Sequence, residues 1–146
     1  MIAVIHGPNL NLLGNREPEV YGSKTLSEIN DIISKRAREL NLDIDIFQSN
    51  HEGEIIDYIQ DGINEFDGIV INPAAFTHYS IAIHDALKAL CVPVVEVHLS
   101  NIYKRDKFRH KSVVAPVAVG QISGLGYRGY LYALEALKNI TVKETY

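Results

Sequence analysis

The chemistry of this sequence begins with a guanidinium and a phenol, Arg16 and Tyr21, in the stretch IHGPNLNLLGNREPEVYG from Ile5 to Gly22. Free tyrosine ionises near about pH 10, and an opposite charge within a few ångströms lowers that by about one to three units. Arg16, on the same loop before Tyr21, is the candidate cation. A tyrosinate prepared in this way is a base able to remove a carbon-bound proton beside a carbonyl, provided the resulting enolate meets a hydrogen-bond donor. Asn9 can be that donor, directly or through a water. The stretch follows an apolar run, Ile2 to Ile5, and precedes a helix start at Thr25, so it reads as a long loop. Structureless connections of this length are uncommon and usually functional. The alternative is a solvated Ω-loop pinned by Leu10, Leu12, Leu13, Val20 and Tyr21.

A second group gathers at the end of an apolar run, Val92 to His98. Period two puts Glu96 and His98 on one face of a strand otherwise made of Val94, Val95 and Val97. A carboxylate and an imidazole at the mouth of a buried strand are costly unless they meet partners. Either they cap the sheet edge as satisfied polar groups, or His98 is a proton donor or acceptor held in one tautomer by its neighbours. Ser100 and Asn101 follow directly. A third group, Asn72, Thr77 and His78, follows the apolar run Gly68 to Ile71. The basic segment Lys104 to Lys111 has three readings: a solvated loop, a lid in which Arg105 or Arg109 binds an anion, or a nucleic-acid patch. The last is weakest, because the segment holds a single aromatic and the chain is acidic overall.

The elements that must position these groups alternate along the chain. Thr25-Leu26-Ser27-Glu28 is a capping box, and Leu26, Ile29, Ile33, Ala37 and Leu40 line one face of the helix it opens. Leu42, Ile44 and Ile46 alternate with Asp43 and Asp45, as in an edge strand. Past a Ser49–Gly53 turn, Ile55, Ile56, Ile59 and Ile63 carry a helical stripe. Gly68 to Ile71 reads as a central parallel strand. After the loop Asn72 to Tyr79 come a helix from Ser80 to about Leu90, the strand Val92 to His98, and a polar loop from Leu99 to Val114. A strand near Val117 to Ile122 and a helix from about Tyr127 to Asn139 close the chain. Five βα units imply an α/β three-layer sandwich, a parallel sheet with helices on both faces. The flavodoxin-like order 2-1-3-4-5 is the usual solution for five units, and it opens a crevice at the carboxyl ends of strands one and three.

Bulk properties narrow the classes. With 146 residues, 47% of them apolar, the chain is expected to form a single domain, residues 1–146. A net charge of -4 gives no global attraction for nucleic acid or an anionic membrane. A lone Cys91, no apolar run long enough to span a bilayer and an N-terminus that enters a strand directly fit a cytoplasmic protein. Gly124-Leu125-Gly126-Tyr127-Arg128-Gly129 matches GxGxxG, but at the last unit rather than the first. It reads as a tight turn with close helix packing, and a nucleotide- or anion-binding module is the alternative it keeps open. No HExxH or paired-Cys spacing suggests a metal, and no Lys falls within an apolar strand to form a Schiff base. No cofactor is expected.

Four stretches in register, GPNLNLLGNREPEVYG, NPAAFTHYS from Asn72, EVHLSN from Glu96 and FR at Phe108-Arg109, resemble the type II 3-dehydroquinate dehydratases of the shikimate pathway. The resemblance covers essentially the whole chain. It implies the flavodoxin-like fold and a cofactor-free, metal-free anti elimination of water from 3-dehydroquinate, giving 3-dehydroshikimate. By the same resemblance Tyr21 is the base, with its pKa lowered by Arg16. Asn9 holds the water that stabilises the enolate, and His98, supported by Glu96, protonates the departing hydroxyl. Asn72, His78 and Arg109 bind ring hydroxyls, and Leu99 and Ser100 receive the substrate carboxylate. Asp85 serves a neighbouring subunit in a homododecamer of four trimers. Three positions depart from the family's usual pattern: His6 stands where Asn is usual, Ala74 where Gly is, and Tyr79 where a small hydroxyl residue is.

Overall fold

The computed structural model describes residues 1–141. Its sheet has five parallel strands, β1 (Ile2–His6), β2 (Ile44–Gln48), β3 (Gly68–Asn72), β4 (Val94–His98) and β5 (Gly120–Ser123), in the order β2-β1-β3-β4-β5. This is the flavodoxin-like order. The helices are α1 (Pro18–Tyr21), α2 (Leu26–Glu39), α3 (Glu52–Asp61), α4 (Ile81–Leu90) and α5 (Arg128–Thr141). None of them is long and apolar enough to cross a membrane.

Alternation along the strands divides the core into two layers. Ile2, Val4, Val70, Val95 and Val97 pack with Ile29, Ile33, Tyr130, Leu134 and Leu137 of α2 and α5. Ala3, Ile5, Ile69, Ile71 and Val94 pack with Ile55, Ile59, Ile83 and Leu87 of α3 and α4. The capping box of α2 is formed in full: Thr25 accepts from the Glu28 amide, and the Glu28 carboxylate accepts from the Thr25 amide.

Several boundaries differ from the sequence expectation. The first loop carries a 3-10 turn at Leu10–Leu12 and the one-turn helix α1. Strand β2 starts at Ile44 rather than Leu42, because its register, Ile2 to Ile44 through His6 to Gln48, is set by the length of β1. Helix α3 starts at Glu52 and stops at Asp61, so Ile63 lies beyond it and is 52% exposed rather than part of the stripe. Ala115–Val117 forms a 3-10 turn, which delays β5 to Gly120.

Two close approaches set the rim where the strands end. The Gly7 amide donates to the Asn72 carbonyl at 2.7 Å, and a Cβ on Gly7 would come within 2.4 Å of the Pro73 carbonyl oxygen. Only glycine allows the two strand ends to meet this closely. One residue earlier, His6 is wholly buried between α2 and α5, with its ring nitrogens against Asn30 Oδ1 and the Tyr130 hydroxyl. Burial lowers its imidazole from 6.5 to about 4, against a smaller opposing effect of the Asn30 hydrogen bond. The unfolded chain therefore binds a proton that the folded protein refuses. The stability contributed by neutral His6 is complete above about pH 6.5 and is lost as pH falls toward about 4. Between about pH 7 and pH 4.5, urea unfolding is expected to show the wild type losing about 2 kcal/mol more than the His6→Asn variant.

Candidate active site

The carboxyl ends of β1, β3 and β4 open onto one cavity enclosing about 670 Å³ of non-atom space, part of it continuous with solvent. Asn9, Arg16, Tyr21, Asn72, His78, His98, Leu99, Ser100 and Arg109 all border it. Glu96 lies behind His98, with no exposure of its own. Asp85 does not border the cavity of its own chain; it is exposed on α4.

Tyr21 ends α1, whose single turn is bracketed by residues in the left-handed region, Glu17 at φ 41° and Gly22 at φ 86°. The Tyr21 side chain packs against the α2 and α5 core layer. Two guanidinium groups flank the ring. Arg16 is 5.6 Å from its centroid, and Arg105, from the segment after β4, is 5.2 Å away. Both lie within cation–π range of the ring. Asn9 sits at φ 68°, with its amide held by Asn50 Oδ1 at 2.9 Å, a backbone set that Asn adopts at little cost.

Glu96 is caged. The hydroxyls of Thr77 and Ser112 donate to Oε1, and the Gln121 side-chain amide donates to Oε2. Burial works to raise the Glu96 carboxyl, but the His98 imidazole and the Ser112 and Thr77 hydroxyls outweigh it, so the group titrates below the ordinary carboxylate range. His98 Nε2 lies 3.5 Å from Glu96 Oε1, an ion-pair separation without hydrogen-bond geometry. Among the described residues His98 Nε2 and Arg109 Nε are buried side-chain nitrogens with no hydrogen-bond partner. Burial also holds the His78 imidazole below its usual value, with the nearby His98 and Arg109 charges adding to the shift.

In the basic segment Arg105 and Arg109 border the cavity, while Lys104, Lys107 and Lys111 are exposed. Arg105 reaches Ser100 Oγ at 3.4 Å. The glycine-rich turn is occupied by the protein itself. The Gly124 amide donates to the His98 carbonyl at 3.2 Å and the Gly126 amide to the Leu99 carbonyl at 3.0 Å, while Ser123 Oγ donates to the Ser100 carbonyl. The Gly124 and Gly126 amides thus hold the loop after β4 and are not free to receive a phosphate.

Sequence reasoning did not single out Arg105 beside Tyr21, nor Ser112 and Gln121 around Glu96. Gln121 is the register partner of Glu96 across β4 and β5. That signal requires the correct start of β5, which sequence placed three residues early. Ser112 carries no local signal at all.

A flavodoxin-like α/β protein with a polar, cation-flanked cavity at its topological switch point belongs to a class that handles small polar ligands at that crevice. The chain belongs to the Dehydroquinase class II family, whose profile matches residues 1–138. It is 66% identical over 145 residues to a 3-dehydroquinate dehydratase of Halothermothrix orenii, covering 99% of this chain and 98% of that one. It is 61% identical over 140 residues to the enzyme of the same name from Caldicellulosiruptor saccharolyticus, covering 95% and 97%. A type II dehydroquinase crystal structure from Butyrivibrio crossotus matches with a TM-score of 0.93 at 47% identity, covering 94% of this chain and 97% of that one.

The Glu96 cage has a measurable consequence. Glu96→Ala leaves the Thr77 and Ser112 hydroxyls and the Gln121 amide without their acceptor, and is expected to cost about 2–4 kcal/mol in chemical denaturation. Glu96→Gln keeps the volume and an acceptor, and is expected to cost less than half as much.

Proposed function

We propose that this protein is a 3-dehydroquinate dehydratase: a lyase that eliminates water in the anti sense from 3-dehydroquinate to give 3-dehydroshikimate, a step of the shikimate pathway. In this reading residues 1–146 act as one catalytic domain in the cytoplasm. The observation that carries it is the shared cavity, where Tyr21 with its two arginines and His98 with its caged carboxylate arrive from separate strand ends. One end of that cavity suits a base, the other a proton donor.

Tyr21, as a phenolate between Arg16 and Arg105, takes the proton from the carbon beside the ketone. The electron pair moves onto the ketone oxygen, and Asn9 holds the water that donates to the enolate. When the carbonyl re-forms, the pair makes the carbon–carbon double bond and expels the hydroxyl from the next carbon. His98 protonates that hydroxyl as it leaves as water, with Glu96 holding the imidazole. One proton has been taken and one given, so exchange with solvent restores both groups. Asn72, His78 and Arg109 hold the ring hydroxyls, and Arg109 Nε, 3.7 Å from Asp106 Oδ2, makes no hydrogen bond with any described residue. Leu99 and Ser100 take the carboxylate through backbone amides and the Ser100 hydroxyl. Proton removal, expulsion of the hydroxyl and its protonation need only acid, base and hydrogen-bond donors, so the reading assigns no cofactor and no metal. The engaged amides of Gly124 and Gly126 weigh against the alternative of a nucleotide-binding module.

The same reading makes the assembly a homododecamer of four trimers, with Asp85 serving a neighbouring copy. The exposed position of Asp85 on α4 is in keeping with this, as are the exposed Tyr79 and Ile81 at the start of that helix, at 62% and 64%. Neither nucleic acid nor membrane has a part in it.

An ultraviolet assay with 3-dehydroquinate reads the conjugated enone directly. Tyr21→Phe and His98→Ala are each expected to lower kcat by at least about 10²-fold while circular dichroism stays unchanged. A fully active Tyr21→Phe protein would remove the proposed base. Chelators, and borohydride added with substrate, are expected to leave turnover unaltered. Sedimentation is expected to give a species near twelve times 16.3 kDa, and Asp85→Ala to raise KM without unfolding the subunit.

A further inference from the structure

Behind the cavity wall a line of buried polar groups crosses the α2 and α5 side of the sheet. The Ala74 amide donates to Asn72 Oδ1 at 3.1 Å, and Asn72 Nδ2 donates to the Tyr130 hydroxyl at 3.0 Å. That hydroxyl lies 2.9 Å from His6 Nδ1, and His6 Nε2 lies 2.8 Å from Asn30 Oδ1. Four elements supply the line: Asn30 from α2, His6 from β1, Asn72 from β3 and Tyr130 from α5. His6 and Tyr130 have no exposure, and Asn72 has 3%.

The direction of the line is fixed at one end. A backbone N–H can only donate, so the Ala74 amide requires the oxygen of the Asn72 side chain to face it, and the Asn72 nitrogen then faces Tyr130. The Tyr130 oxygen accepts from Asn72 and has one proton to give, and His6 Nδ1 is there to take it. His6 is then the tautomer with its proton on Nε2, which donates to Asn30 Oδ1. Each member is satisfied in this one arrangement. Reversing any one member sets a donor against a donor or an acceptor against an acceptor.

We infer that His6 and Tyr130 are positioning residues for substrate binding, which lock the side-chain amide of Asn72 so that its remaining N–H is presented to the cavity. The inference rests on the dehydratase reading for the identity of what Asn72 holds, a ring hydroxyl, while the proton order of the line stands apart from it. Without the Tyr130 hydroxyl the Asn72 amide loses its anchor and can rotate, presenting its oxygen in place of its nitrogen. Burial supports the arrangement from another side: it keeps the His6 imidazole neutral at working pH, so that Nδ1 stays an acceptor. The backbone contributes as well. Ala74 stands at φ 51°, in the left-handed region that disfavours a residue with a Cβ, and the hydrogen bond from its N–H to Asn72 Oδ1 is one of the contacts that hold it there.

The test has two readouts. In the wild-type protein, nitrogen-15 spectra are expected to show His6 as the Nε2-protonated tautomer near neutral pH, with one Asn72 side-chain proton protected from exchange. An Nδ1-protonated His6 would overturn the inference whether or not the protein is a dehydratase. In the 3-dehydroquinate assay, Tyr130→Phe and His6→Leu are each expected to raise KM about tenfold, with kcat held within about threefold, the pattern of lost ground-state binding. The Oδ1 of an asparagine can sit where His6 Nδ1 sits, so His6→Asn is expected to recover most of the lost affinity. An unchanged KM in folded Tyr130→Phe protein would overturn the inference, as would a fall in kcat with KM unaltered. A wild type without activity would defeat the dehydratase reading instead, and the tautomer and the Asn72 proton would still decide whether the line exists.

Discussion

The hydrogen bond from Gly7 to the Asn72 carbonyl, made possible by the missing Cβ of Gly7, is the contact on which the rest of the site depends. A parallel sheet delivers all its carboxyl ends to one rim, but the loops leaving that rim diverge unless something ties them. Here the tie comes at the first residue after β1, where the chain passes directly over Pro73. Asn9 lies two residues beyond on one side, and Asn72 and Ala74 lie on the other. The bond sets the separation between the groups that approach the cavity from β1 and those that approach from β3.

The two faces of the sheet solve the same problem with different chemistry. On the α3 and α4 side a full charge, Glu96, is buried and met by two hydroxyls and an amide. On the α2 and α5 side neutral groups run from Asn30 through His6 and Tyr130 to Asn72. A buried polar group left half-satisfied costs more than it contributes, so each arrangement is all-or-none. Each also ends at a side chain that borders the cavity, His98 on one side and Asn72 on the other. The polar interior therefore acts as the backing of the site while the apolar layers hold the sheet.

Much of this was legible in the sequence. The strand order is the usual solution for five alternating units, although alternation alone does not dictate it, and the capping box at Thr25 formed as read because capping is local chemistry. The period-two placement of Glu96 and His98 on one face needed only the strand, not its neighbours. What escaped depended on distance in sequence. Arg105 reaches Tyr21 across more than eighty positions, and Gln121 meets Glu96 only through the register of β4 with β5. The start of β2 was misplaced because alternation reports which face a residue takes, whereas the end of a strand is set by the length of its partner. The glycine-rich turn shows the converse case. Its pattern is that of a phosphate cradle, but a pattern does not tell whether the amides it exposes are already bound, and here they hold the carbonyls of His98 and Leu99.

The two arginines beside Tyr21 belong to segments far apart along the chain, one before α1 and one after β4. Neither segment alone surrounds the phenol with positive charge; that environment exists only once β1 and β4 have taken their places on either side of β3. A nascent or partly opened chain therefore lacks this paired cationic contact, which completion of the tertiary structure supplies. Insertions that lengthen either segment would loosen half of that enclosure while leaving every strand intact.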